Sequence, residues 1–469
     1  MNLLGTGGNP KKVTGSKEMS TRTNLLKGNI LKSLITMSLP IMATSFLQMA
    51  YNMTDMIWIG RVGSNSVAAV GAAGMFVNLA NNGLCNFLKL GSQVNVAHAY
   101  GSGDTKKAAC YARNALQLGV ILAFIYGLII CIFRKPFIGF FRFTNQQVIK
   151  DAQIYLLIMG IFIIFNFVNP IFTASITATG NSKTPFKINT AGLVINLILD
   201  PVLIFGVGPF PVMGVFGAAI ATVFAQFIVF LIYIYYIRHD EMVFSKMRFR
   251  NPLKKEIIKD IVKIGLPSTI QGVMFTSISM VIGRIIAAWG ETAIAVQKVG
   301  IQVEAISYMS ADGFASATSS FMAQNYGAGQ FERSKKGFST ALKVMLAWGV
   351  ATTCILVFLS EPIFSVFITE PDVILLGIDY LRILGYSQLF MCLEIITTSA
   401  FAAYGNTLPP SIVSIVFTGM RIPMAILLGK TVLGLNGVWT SISLSSVFKG
   451  VILIVWYIVF MKKFNKKIK

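Results

Sequence analysis

Apolar runs of roughly 20 residues, the length of α-helix that crosses a hydrocarbon core, recur along this chain from one end to the other. Inside a bilayer no water satisfies exposed N–H and C=O groups, so such a chain can form a bundle of helices or a closed barrel and little else. The residue alternation of barrel strands is absent. The runs allow about twelve helices, near residues 34–59, 67–98, 115–133, 153–178, 186–206 and 214–237, then 261–288, 292–323, 341–359, 374–403, 410–429 and 435–461. Composition agrees. Of the 469 residues, 55% are hydrophobic and 12% charged, and the mean hydropathy is +0.70, which no soluble globule of ordinary composition matches. The expected fold is an all-α integral membrane protein with twelve transmembrane helices.

The net charge of +22 invites a nucleic-acid reading until the 40 Lys and Arg are set against the proposed loops. Of these, 28 fall on one side: six in the N-terminal tail, three around Lys106, then Lys183 and Lys187, eight between Arg238 and Lys263, four near Arg333 and five in the C-terminal tail. Six fall on the other side, and six lie in or at the edges of apolar runs. The bias predicts a multi-pass protein of the cell (inner or plasma) membrane with both termini in the cytoplasm. Attraction to anionic lipid follows, and nucleic-acid binding does not. The five cysteines are odd in number and lack a CxxC, so neither a disulfide framework nor a zinc site is indicated. The first 30 residues are polar and basic without a short apolar core, so no cleaved signal peptide is expected.

The basic interval Arg238–Lys263 divides six spans from six, and the halves repeat one another. LITMSLPI resembles DIVKIGLPS, with Pro40 matching Pro267 at an offset of 227; AYGSGDTKKA resembles NYGAGQFERSKK at 226; ATGNSKTP resembles AYGNTLPP at 225; MGVFGAA resembles LGLNGVW at 220. Four matches in one order point to duplication. An even number of spans per half makes the repeats parallel, about an axis along the membrane normal, with a cavity expected between them. The expected domains are a cytoplasmic tail over 1–33, an N-lobe over 34–237, a cytoplasmic linker over 238–260, a C-lobe over 261–461 and a basic tail over 462–469.

Within the first run, Gln48, Tyr51, Asn52 and Asp55 fall at i, i+3, i+4 and i+7, one polar stripe on an otherwise apolar helix. A carboxylate at that depth costs about 2.5–3.5 kcal/mol to insert and usually marks an ion or proton path; the alternative is a structural acid paired with Arg61. Asp200 is the other acid inside a span of the first half. Asn196 lies one turn before it, and Pro201 frees the carbonyl of Leu197. Carboxylate, amide and freed carbonyl together could hold Na+ or a carboxylate that trades protons; the alternative is a proline kink whose polar neighbours satisfy loosened backbone. Enzyme readings fare poorly, since no HExxH, GxSxG or GxxxxGKS/T occurs. No cofactor is indicated. Without a nucleotide-binding loop, an ion gradient rather than ATP is the expected energy source.

In their order and spacing, the LP of the first helix, YNMTD, GRVG, YGSGD, ATGNSKTP, NLILDP, GAAIAT and NYGAG resemble the multidrug and toxic compound extrusion (MATE) family over nearly the whole chain, and its DinF-like branch most. The resemblance implies two six-helix bundles related by pseudo-twofold symmetry, in a V around a central cavity. It implies export of cationic amphiphiles in exchange for H+ or Na+; the chain is expected to act as a monomer. By motif, Asp55 matches the coupling acid of the first helix, with Gln48 and Tyr51 beside it and Pro40 at its bending point. Asn196 and Asp200 match the fifth-helix pair, and Ala218 and Thr222 the sixth-helix part of a cation site; Asp55, Asn196, Asp200 and Thr222 would be the ligands of a Na+. Pro201 and Pro267 are the further expected hinges.

The second half departs from other branches, which carry an acid in helix seven; none lies between Asp260 and Glu291, and Arg284 stands there instead. Helix eight places Gln297, Glu304 and Tyr308 near one face with Asp312 further round, and helix ten carries Glu394. With Gln48, Tyr51 and Asn52, these helix-eight residues are the candidate substrate-cavity residues. The bland alternative pairs the acids with Arg284, Lys298, Arg382 or Arg421. Phe and Met, 36 and 21 in number, suit a cavity for aromatic cations. The rival function is a flippase for a lipid-linked saccharide on a related two-lobe plan, which needs a strongly cationic cavity; Arg284, Lys298 and Arg421 keep it open.

Overall fold

The computed structural model describes residues 22–240, 242–247, 249–368 and 370–468. Residues 1–21 of the expected N-terminal tail, positions 241 and 248 of the linker and 469 of the C-terminal tail lie outside the described residues. The first half holds α1 (Ile30–Val62), α2 (Ser64–Gly101), α3 (Thr105–Gly139), α4 (Gln146–Ile161 and Ile164–Ala178), α5 (Lys183–Phe205) and α6 (Gly214–His239). The second holds α7 (Lys255–Ala287), α8 (Glu291–Gly327), α9 (Phe331–Phe358), α10 (Pro371–Gly385 and Gln388–Ala403), α11 (Leu408–Gly419 and Arg421–Gly429) and α12 (Gly434–Ile468). No strand occurs among the described residues.

Among the described residues, nine of these helices are long and apolar enough to cross a membrane, and α4 and α10, bent by 49° and 44°, bring the number to eleven. The remaining one, α8, is 37 residues long but carries Lys298, Glu304 and Asp312. Its polarity is affordable because it packs between α1, α2, α9 and α10, where protein rather than lipid surrounds it. Pro40, Pro201 and Pro267 sit inside helices that run on past them. Each removes one helical donor, yet the breaks fall elsewhere, at Phe162–Ile163, Tyr386–Ser387 and Met420.

The apolar cores show where the halves join. One cluster draws on both halves, from Leu34 and Phe87 to Ile261, Phe321 and Tyr457, at the end that carries the basic loops. At the opposite end there are two clusters. One is confined to the first half, from Ile59 to Val223, and the other to the second, from Ile278 to Trp439. The halves therefore share a core at one end and part at the other.

The repeated motifs are the hardware of the closed end. His98 on α2 bonds the carbonyl of Ala403 at the end of α10 (2.6 Å), and Gln324, its repeat partner on α8, donates to the carbonyl of Ala178 at the end of α4 (2.6 Å). Each half thus terminates the other's fourth helix. Glycine makes the crossing possible: a Cβ on Gly101 would overlap the carbonyl oxygen of Gln324, and one on Gly327 that of His98. The segment after residue 21 straps the same end, with Arg22 paired to Asp240, the Thr23 amide donating to Gly180 (2.9 Å) and Arg333 donating to the carbonyls of Leu25 and Gly28. Gly101→Ala is expected to destabilise the protein by about 1–3 kcal/mol, the usual result of overpacking. Gly74→Ala, on the same helix with nothing within 4 Å of the added methyl, is expected to be neutral or stabilising. Thermal unfolding in detergent checks the contrast.

Candidate functional site

Two polar sites lie off the closed end, one within the first half and one between the halves. In the first, Asp200 on α5 is buried and its Oδ1 accepts from Asn196 Nδ2 at 3.0 Å, one turn earlier on the same face. Helix α1 packs against α5 and α6 and brings Asp55 within electrostatic reach of Asp200. Tyr51 and Tyr155 face both carboxylates, and Thr222 on α6 meets the Tyr51 hydroxyl, with Ala218 buried one turn before it. Asp55 Oδ1 and Asp200 Oδ2 are enclosed and accept no hydrogen bond. Negative charge on enclosed carboxyl groups is costly in a membrane interior unless a cation accompanies it. The oxygen-rich set fits a proton or a hard monovalent cation. No group of three or more His, Cys, Asp or Glu that could hold a metal ion occurs among the described residues.

The alternative pairing of Asp55 with Arg61 does not occur: among the described residues the ion pairs are Arg22–Asp240, Lys335–Glu332 and Lys449–Glu394, and Arg61 lies over the Trp58 ring at 5.0 Å. Tyr155, on α4, is the member of this site that sequence reasoning missed. Nothing in its local pattern sets it apart from a packing aromatic.

The second site is a cavity of about 910 Å³ between the halves, walled mostly by α7, α8 and α10–α12. Gln297, Glu304, Tyr308 and Asp312 all line it, as does Glu394. Gln48, Tyr51 and Asn52 are not among the residues that line it. Gln48 and Asn52 are exposed and bond each other at 3.1 Å, while Tyr51 is turned to the carboxylates. Helical pitch puts them on one stripe with Asp55, and of the three it is Tyr51 that meets the first site. Of the many Phe and Met, Phe186, Phe275 and Met391 reach the wall, whereas Met53, Met56 and Met274 do not.

The cavity's charges balance. Lys89, Arg421 and Lys449 face Glu304, Asp312 and Glu394 across it. Glu394 pairs with Lys449 at 2.9 Å, a partner absent from the expected set of Arg284, Lys298, Arg382 and Arg421. Arg284 and Lys298 lie off the wall, so the strongly cationic cavity that a pyrophosphate flippase needs is not present.

Comparison with known proteins is consistent along the whole chain. The MatE family model matches residues 40–202 and 267–427, one stretch in each half. A Thermotoga maritima protein named probable multidrug resistance protein NorM is 27% identical over 440 residues, 92% of either chain. A Shewanella oneidensis protein named FAD transporter is 26% identical over 92% of this chain and 95% of its own. Among solved structures, a multidrug resistance MATE family transporter in an outward-facing conformation superposes with a TM-score of 0.83 at 24% identity, covering 94% of this chain and 97% of that one. The twelve-helix, two-bundle architecture is the fold of these proteins.

Proposed function

Because this chain belongs to the MatE family of multi-pass membrane transporters, and is a transporter rather than an enzyme, we propose that it is a cation-coupled antiporter exporting amphipathic, mostly cationic compounds by alternating access. The observation that carries the reading is the separation of two sites: a closed carboxylate pocket at Asp55 and Asp200, and a roomy cavity between the lobes. The pocket takes the coupling ion, H+ or Na+, with Asn196, Thr222 and the backbone beside Ala218 completing the set for Na+. The cavity takes the drug. With both termini cytoplasmic, as the basic loops favour, the shared core closes the cytoplasmic end and the lobes part toward the outside, the state that releases drug and loads the ion.

The protein works as a monomer, since each chain holds both sites. Relatives named as multidrug resistance proteins support the export of drugs. The balanced charges of the cavity wall favour this over the flippase reading. Ethidium transport in proteoliposomes, with pH and Na+ gradients imposed one at a time, tests it. Uptake into the lumen of inverted carriers should follow one gradient and collapse with the matching ionophore; indifference to both gradients overturns coupling.

A further inference from the structure

Arg421 is the one guanidinium on the cavity wall, and it is held in an unusual way. Its residue is 7% exposed, and among the described residues it is in no ion pair. Its Nε donates to Ser445 Oγ at 2.5 Å and its Nη2 reaches Ser446 Oγ at 3.4 Å, both on α12, while Phe275 of α7 lies against the charge at 5.6 Å from ring centroid to Cζ. These contacts fix the plane of the fork without neutralising it. The nearby acids do not neutralise it at contact either. Glu394 is taken by Lys449, and Glu304, which is within electrostatic reach of Arg421, keeps a buried Oε1 with no hydrogen bond. With two hydroxyls and a ring face at contact, and Glu394 and Glu304 within electrostatic reach but not bonded to it, the buried guanidinium has no anion in contact, and a preset fork matches the two oxygens of a carboxylate.

We propose that Arg421 is an anion receptor within the drug cavity, and that the protein's preferred substrates are aromatic zwitterions whose carboxylate docks on Arg421 while their cationic end faces Glu304. The ring of such a substrate stacks on Phe275, which lines the same wall. This deepens the efflux reading and rests on it only for the identity of the cavity as the drug site.

Rhodamine 110 and rhodamine 123 share a cationic ring system and differ in a free carboxylate against its methyl ester, so the pair isolates the anion. Fluorescence polarisation with purified full-length protein in detergent reads both affinities without any gradient. The wild type is expected to favour rhodamine 110 by about tenfold or more, the worth of a charge-assisted pair, and Arg421→Gln to bring that ratio near one. Arg421→Lys, which keeps the charge but not the fork, is expected to lower the ratio at least about threefold, and it decides the matter should the glutamine variant not purify in monodisperse form. Equal affinities in the wild type, or a ratio that survives in Arg421→Lys and falls instead in Lys89→Gln, overturn the proposal. If the dye preference holds while gradient-driven efflux fails, the receptor stands and the export reading falls.

Discussion

Asp55→Asn is expected to reach the membrane at the wild-type level and to lose gradient-driven efflux of ethidium. The amide has nearly the shape of the carboxylate, so the packing of α1 on α5 and α6 is kept. What disappears is the negative charge that a proton or Na+ must cancel. Moving one elementary charge across 100 mV is worth about 2.3 kcal/mol, so uncoupling removes roughly 50-fold from the drug gradient the protein can hold. Asp200→Asn is expected to give the same phenotype, since Asp55 acts electrostatically on Asp200 within the same enclosed pocket. Efflux that follows the imposed gradient at equal protein level in Asp55→Asn would remove this residue from coupling. Efflux lost together with membrane insertion would point to a structural role instead.

How much of this was legible beforehand depended on whether the signal was local. Apolar runs located every helix, because lipid demands apolar surface wherever a helix meets it, but not every end: α3 and α9 begin at Thr105 and Phe331, ahead of the runs expected from 115 and 341, where the chain is already polar. Even α8, the most polar span, was recognisable from its length and the duplicated NYGAG at its end. The duplication predicted two lobes, although it took the coordinates to show what the motifs do: His98 and Gln324, equivalent in the repeat, cap each other's lobes. The helix breaks at Phe162–Ile163 and Tyr386–Ser387 carry no proline; each follows a glycine, Gly160 and Gly385, which on its own does not distinguish a break from close packing. The prolines expected as hinges, Pro40, Pro201 and Pro267, lie inside continuous helices. Pitch placed Gln48 and Asn52 on one stripe with Asp55, but periodicity tells which residues share a face and not what that face meets. The Glu394–Lys449 pair joins α10 to α12 across 55 positions, and no spacing rule reaches that far.

That pair should be the most damaging single charge to break in the second half. In Lys449→Met the residue left behind is Glu394, whose side chain is 12% exposed and which had its cation at 2.9 Å. Removing one partner of a buried pair typically destabilises by about 3–5 kcal/mol, because the survivor is an uncompensated charge, whereas replacing both can be neutral. The double variant Glu394→Gln, Lys449→Met is therefore expected to recover most of the loss in thermal unfolding, and a double-mutant cycle to return a coupling of several kcal/mol. Arg421 stands within electrostatic reach of both residues. If it turns toward the orphaned Glu394 in Lys449→Met, the destabilisation shrinks and the fork leaves the cavity. A mild stability loss should then come with a lost preference for rhodamine 110, and a severe one with the preference kept. Measuring unfolding and dye ratio on the same preparation separates the two, since a lysine with no part in charge balance would move neither.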